Sequence, residues 1–381
     1  MASRAGRFRV ALLSLLALNL CAQSDGGRWL DVDFPHDSPV LPVTLSLGST
    51  TMRPRGASMA LNLHASLLLR NTGAKTISGL TLRVEAPDLT PSGKGSVTVP
   101  SLQVRPGEVF PVRLDLEVLR PFSLGRNEGA IVQVSLDCAL FADLSHYGPD
   151  QLHSRRSLMV YELQARQERR YMADLLQSRR WTQIREELNF GLQDLRPPQL
   201  GFELLRDAKT GRRGEAALAV GTMAFPSSPV QATSGAAQVA GNEVRAPRIE
   251  VKNTSQKPVR GVDIGWIVRD EHGRNFMAGS VPVSLKLDGV ESGAMMEPGT
   301  LRFSQGAGQP LVIGGLLAFI HDVEFTDGKL WIPSRSDIEE ATTDPILRRA
   351  LTNSPEQQRL AEIYRRKGSS GLESELKRTN P

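Results

Sequence analysis

The chain predicts a mainly β fold: two antiparallel β-sandwich domains, a linking α-helix between them and a helical C-terminal tail. Three observations carry that expectation. Apolar and polar residues alternate at period two over several short stretches, as in strands with one buried face. The run Asn71-Thr72-Gly73-Ala74-Lys75-Thr76-Ile77-Ser78-Gly79-Leu80-Thr81-Leu82 returns as Asn253-Thr254-Ser255-Gln256-Lys257-Pro258-Val259-Arg260-Gly261-Val262-Asp263-Ile264, shifted by 182. Both copies read as strand, Asn-led turn, strand. The alternation gives way to helical spacing twice, over about 157–190 and after 336.

The 381 residues suffice for two domains with appendages. Hydrophobic residues at 40% and charged ones at 23% are ordinary for a folded protein. Aromatics at 5% argue against a protein built around aromatic ligand platforms. The formal charge of +5 is misleading, because Arg4, Arg7 and Arg9 fall within the first 22 residues, which hold no acid. The remainder has 43 basic and 41 acidic groups, a net +2. That balance gives no concentrated basic face, so no nucleic-acid partner is expected.

The three arginines, the apolar run Val10 to Leu20 and the small residues around Cys21-Ala22 read as an export signal over 1–22, cleaved after Ala22. The run is shorter than the roughly 20 apolar residues of a transmembrane helix. A lipoprotein anchor at Cys21 is the rival reading. Leu18 suits it, but Asn19 and Leu20 do not. The protein is therefore expected outside the cytoplasm, periplasmic or secreted. Only Cys138 then remains, so no internal disulfide is expected and stability must come from core burial.

Residues 23–56, broken by Pro35, Pro39, Pro42 and Pro54, read as an extended leader with one edge strand near Val43 to Leu47. The first sandwich is placed at 57–156. Leu61, Leu63, Ala65, Leu67 and Leu69 alternate before the Asn71 turn, and Leu80, Leu82 and Val84 after it. Arg105-Pro106-Gly107-Glu108 is a turn, and Phe110, Val112, Leu114, Leu116 and Val118 follow it on one face. Val132, Val134, Leu136, Cys138 and Leu140 form the last clear strand. A linking helix is placed at 157–192, where Tyr171, Leu175, Leu176, Trp181, Ile184 and Leu188 recur at helical spacing.

The second sandwich is placed at 200–335. Its segment 226–241, rich in Ser, Ala, Gly, Pro and Gln, reads as a mobile loop. Val262, Ile264, Trp266 and Val268 alternate after the second turn, which makes Trp266 a core residue. Val281, Val283, Leu285 and Leu287 alternate again, and Leu311 to Ile320 is a further strand. Hairpin turns fall at Asp270 to Arg274 and at Asp327-Gly328. A helical tail occupies 336–381. Ser336 with Glu339 reads as a capping box, Ser354, Pro355 and Gln357 as a second helix start, and Gly368 as its end, with 369–381 frayed.

The segment from Lys252 through Trp266-Ile267-Val268-Arg269-Asp270-Glu271-His272-Gly273 resembles the FxLYD-type and related immunoglobulin-like or CARDB-like domains of bacterial extracytoplasmic proteins. The resemblance covers about 245–280, and more weakly 65–90. The naming motif's positions are filled by Trp266, Val268 and Asp270, and by Val84, Ala86 and Asp88 in the first copy. It implies immunoglobulin-like sandwiches in an exported, non-catalytic module, and it transfers no site residues.

The shared residues themselves read as turn chemistry. Asn tolerates left-handed backbone and bonds the chain two residues on. Gly79 and Gly261 mark a bulge or a close backbone contact. Cys138, on the apolar side of its strand, reads as inert packing rather than a nucleophile. Asp143, His146, Asp150 and His153 form the one acid-histidine cluster, with ligand types that suit zinc or another divalent ion, but no spacing brings them together. Gly306-Ala307-Gly308 reads as a loop, and nucleophile-elbow, P-loop and HExxH patterns are absent. Arg166, Arg169, Arg170, Arg179 and Arg180, and likewise Arg365-Arg366-Lys367, are interleaved with Glu and read as solvated helix faces, with anionic lipid or wall polymer as the sharper alternative, and with the first helix packed across the two sandwiches to fix their angle as another.

No catalytic, cofactor-binding or metal residue is therefore assigned. The function expected is binding or assembly in the bacterial cell envelope, with another envelope protein as partner and peripheral membrane or wall contact as a further expectation. Carbohydrate or wall-polymer recognition is the alternative, with Trp29 and Trp331 as its platforms. An enzyme with an unrecognised site comes third.

Overall fold

The computed structural model describes residues 30–56, 58–86, 94–121, 132–192, 200–205, 216–290, 292–304 and 311–379. The expected export signal with Cys21, Trp29, Asp88 and Gly306-Ala307-Gly308 lie outside them. The chain is mainly β, with 50% strand and 24% helix.

The first β unit holds β1 (Leu30–Asp33), β2 (Val40–Leu47), β3 (Thr51–Arg55), β4 (Ser58–Asn71), β5 (Ile77–Glu85), β6 (Lys94–Val99), β7 (Val109–Pro121), β8 (Val132–Phe141) and β9 (His146–Tyr147). One sheet runs β1-β8-β5-β6, with β9 also on β8. The other centres on β4, which pairs with β2, β3 and β7. Leu63, Leu67, Leu69, Phe110, Val112 and Leu114 of one sheet meet Ile77, Leu80, Leu82, Val134 and Leu136 of the other in one dry core. The alternation read from the sequence is thus the inward face of a sandwich.

Two helices follow, α1 (Ser154–Gln177) and α2 (Trp181–Leu192). The second β unit holds β10 (Gly201–Leu205), β11 (Ala216–Met223), β12 (Val230–Ala240), β13 (Glu243–Asn253), β14 (Val259–Asp270), β15 (Asn275–Leu287), β16 (Gly293–Met296), β17 (Thr300–Ser304), β18 (Ile313–Phe325) and β19 (Leu330–Trp331). The first half of β11 pairs with β12 and its second half with β18, so it joins the β10-β17-β13-β12 layer to the β18-β14-β15 layer. Residues of both layers, with fully buried Trp266 among them, share one core. The chain ends in α3 (Arg335–Ala341), α4 (Pro345–Thr352) and α5 (Pro355–Thr379).

The Asn-led turns share their main bonds. Asn71 Nδ2 donates to the Lys75 carbonyl at 2.8 Å, and Asn253 Nδ2 to that of Lys257 at 2.9 Å. Their Oδ1 atoms accept from the backbone of Gly73 and Ser255 two residues on. Thr72 and Thr254 donate their backbone N–H groups to Pro39 and Pro229. Lys75 lies over the Phe141 ring and Lys257 over that of Phe325.

The structure corrects five expectations. Residues 30–55 are not a leader: Leu30 pairs in parallel with Val132, and Leu30 and Val40 are core residues. This pair, like β11 with β18, is parallel within otherwise antiparallel sheets. Segment 226–241 is no loop, because Val230–Ala240 is a strand hydrogen-bonded on both sides. Its small residues serve packing. A methyl group on Gly235 would lie 2.7 Å from Ile249 Cδ1.

The linking segment is two helices, broken at Arg179 in left-handed backbone (φ 54), which turns Trp181 outward. The capping box belongs to Ser334 and Asp337, whose carboxylate also binds Ser227 of the β unit. Finally, the chain kinks at Gly368 and resumes its helix. Leu372 and Leu376 pack with Leu360 and Ala361 against Met172 and Leu175 of α1 and Ile184 and Leu188 of α2. The tail is the third member of a helical layer, and burial of those apolar groups supplies what the local sequence lacks.

Burial also changes the reading of the Arg-rich helix. Arg169 is buried, with Glu162 at 2.9 Å and fully buried Glu356 at 3.4 Å, and Arg359 holds Glu356 from its other side at 2.7 Å. Arg166 also pairs with Glu162. Arg169 thus ties α1 to α5 instead of facing solvent, whereas Arg170, Arg179 and Arg180 are exposed, as a solvated face requires. Arg365 and Arg366 are exposed and pair with Glu362, as a solvated face does.

Candidate functional site

A cluster of buried polar groups converges at the N-terminus of α1, between the two β units. Two strand registers build the place. Asp263 of β14 stands opposite Asp322 of β18, and the next aligned pair is Ile264 with Ile320, so His321 is the extra residue of a β-bulge. In the first unit Thr81 stands opposite Cys138 and Leu82 opposite Leu136, which makes Asp137 the extra residue of a matching bulge. A bulge turns the following side chains to the opposite face. Leu136 therefore points into the sandwich core, whereas Cys138 and Leu140 point outward and pack under Leu158 and Met159 of α1. The sequence reading had put all of them on one face. The thiol is buried, and burial first, then Asp150 and Asp137, pushes it up to about 12, far from a reactive thiolate.

Asp137 fastens α1 to the first unit. Its Oδ1 accepts from the backbone of Gln151 at 2.8 Å, and its Oδ2 accepts from Ser154 Oγ at 3.1 Å. Asp150 Oδ1 accepts from the backbone of Arg155 at 2.9 Å. Asp150 thus meets a free N–H group at the positive end of the helix, while Asp137 holds the turn that leads into it. Within the same first turn the helix also grips the second unit. Arg156 Nε and Nη2 donate to Asp322 Oδ1 at 2.9 and 2.6 Å. Nη2 also lies 2.9 Å from Asp263 Oδ1, though off its hydrogen-bonding direction, and Glu324 is 3.9 Å from Nη1. His321 Nδ1 is 3.0 Å from Asp322 Oδ2.

The duplicated glycines explain how the helix comes so near. A methyl group on Gly79 would lie 2.8 Å from Leu158 Cδ2, and one on Gly261 would lie 2.6 Å from Arg156 Nη1. The same position in both copies is thus the contact for α1, apolar on one side and ionic on the other.

The seam is dry: the side chain of Asp322 is 1% exposed and that of Asp263 13%. Burial first, then the charge of Asp322, raises Asp263 to about 7. Asp322 is held low despite its burial, by His321 and Arg156. Donor atoms of Asp263, His321 and Asp322 lie within 4.8 Å of one another, a spacing that a metal ion could use. The Arg156 guanidinium already fills the cation's place, so these residues form an ion-paired clasp.

The cluster expected at Asp143, His146, Asp150 and His153 is dispersed over separate tasks. Lys75 at 2.7 Å and Ser145 hold Asp143 well below the usual carboxylate range. His146 lies on β9, Asp150 caps α1, and His153 takes left-handed backbone before it. The clasp itself escaped sequence reading, since its members lie on three elements and depend on a bulge. The one signal was Gly261 in the repeated turn.

No family model matches the chain, and no curated protein matches it. Among solved structures it is similar, at 9% identity and TM-score 0.11, to the calcium binding domain CBD12 of CALX1.1, over 76% of this chain and 87% of that one. At the same identity and TM-score it is similar to a two-domain protein of unknown function from Bacteroides fragilis, over 72% and 93%. Likenesses at that score carry no argument about fold or function.

Proposed function

We propose that the protein is an exported, non-catalytic binding or assembly protein of the bacterial cell envelope, built from two copies of one immunoglobulin-like unit that α1 holds together. The carrying observation is an uncovered apolar strip on the first unit. Leu41 and Val43 of β2, Leu68 of β4 and Val109 of β7 are 40%, 45%, 36% and 42% exposed. Register joins them: Leu41 and Val109 flank Arg70, while Thr44 and Pro111 flank Leu68. Helices cover the outward face of the unit's other layer at β8, and that of the matching β14/β18 layer in the second unit. Strand β2 carries no charge, and among the described residues it pairs with β4 alone. An uncharged edge beside an apolar face suits an extended protein segment that adds as a further strand.

The test is a photo-crosslinking residue at Val43 in the mature protein, expressed in its own envelope, with mass spectrometry of the product. One stoichiometric partner that disappears with Leu68→Glu supports the reading. Crosslinks that are absent, or that persist in Leu68→Glu, overturn it.

Carbohydrate recognition has one observation in its favour. Trp181 is 43% exposed and lines a cleft of about 420 Å³ with Leu176, Arg179, Glu373 and Lys377. The platform expected at Trp331 is half-buried instead, its Nε1 donating to Ser227 Oγ at 3.2 Å. Glycan-array binding that Trp181→Ala abolishes would favour this second reading.

A further inference from the structure

The seam between α1 and the second unit holds more acid than base. From β18 come Asp322 and Glu324, and from β14 Asp263; Arg156 is the cation that reaches both aspartates. Arg155 of α1 and Arg260 of β14 approach only Glu324, at 3.8 and 3.7 Å. Strand β15 places uncharged Pro282 opposite Asp263, and His321 lies against Asp322. Two buried aspartates therefore share one guanidinium. When both are ionised, one negative charge is left without a counter-charge in a dry seam, which is costly. Asp263 Oδ1 is buried and lacks a hydrogen-bond donor. A proton shared between the two carboxyls removes the excess charge and supplies the missing bond.

We propose that this seam is a proton-operated latch: a proton held between Asp263 and Asp322 keeps Arg156 seated and the two β units closed on α1, and its loss loosens them. The latch goes beyond the envelope-assembly reading and stands whether or not a partner exists. Its direction follows from linkage. Asp263 binds its proton more tightly in the closed seam than in water, so raising the pH favours the open form. Between the ordinary carboxylate range and the raised value near 7, the closed-to-open ratio falls by up to tenfold per pH unit. Above that value it levels off.

The experiment uses the full mature chain with spin labels at Thr44→Cys and Lys286→Cys, one exposed site on each unit, while native Cys138 is buried. Inter-label distances are measured from pH 5 to 9. The expected result is one short distance in acid and a longer or broader distribution in alkali. Asp263→Asn, which imitates the protonated acid, should stay closed throughout, and His321→Gln should keep the wild-type transition. A wild-type distance that does not change across the range overturns the latch, without a need for any variant to fold. A transition that survives in Asp263→Asn, or disappears in His321→Gln, overturns the assignment to the aspartate pair.

Discussion

Replacing Arg156 with alanine tests the clasp most directly. The guanidinium donates two hydrogen bonds to Asp322 and lies 2.9 Å from Asp263, both largely removed from water. Truncation leaves buried carboxylates without a cation. Breaking a buried pair in this way costs about 3–5 kcal/mol, well above the value of the pair itself, because the stranded charge is the larger penalty. Urea unfolding followed by the fluorescence of Trp266, sealed in the second core, reads the loss. With a denaturant slope of about 2 kcal/mol/M, the midpoint should fall by roughly 1.5–2.5 M. The cost should be greater at pH 8 than at pH 6, because Asp263, raised to about 7, is then ionised as well. Adding Asp322→Asn to Arg156→Ala should restore about half of the lost midpoint, since the stranded charge is gone. A midpoint within about 0.3 M of wild type, or a double variant worse than the single, would refute the reasoning that the seam is dry and depends on Arg156 for its counter-charge.

Three further outcomes are expected. Stability should pass through a maximum in mildly acidic solution. Asp263, raised in the folded state, contributes stability present below its unfolded value and lost as pH rises through about 7; Asp322, held low, contributes stability present above its unfolded value and lost as pH falls. Thermal melts from pH 3 to 9 check this, and Asp263→Asn should remove the alkaline decline. Asn253→Ala removes a side chain that bridges its turn from both ends and should cost about 1–3 kcal/mol in chemical unfolding, without loss of partner crosslinking at Val43. Leu372→Ala opens a cavity among α1, α2 and α5 and should cost about 2–5 kcal/mol, read by hydrogen exchange of α5.

Legibility followed the range of the forces involved. Leu61 to Leu69 and Phe110 to Leu116 announced their strands because each strand buries one face, and alternation records that directly. The Asn turns were legible because every bond they need lies within a few residues. Strand β12 was not legible. Its order comes from neighbours on both sides, while Ser234, Gly235 and Ala236 look like linker. The C-terminal half of α5 has weak local support, and only burial against α1 and α2 orders it.

Cys138 shows the limit most sharply. Its strand reads as a single alternation, yet a bulge at Asp137 divides it between two faces, and the bulge leaves no period in the sequence. The sequence by itself determined two β-rich units, their shared turns, and where helix replaces strand, since these depend on residue type and short-range periodicity. Only the tertiary structure decided that α1 stands between the units, that the repeated glycines are its points of contact, and that Asp263, Asp322 and Arg156 meet. Those three residues come from β14, β18 and α1, and strand register and helix placement set their convergence.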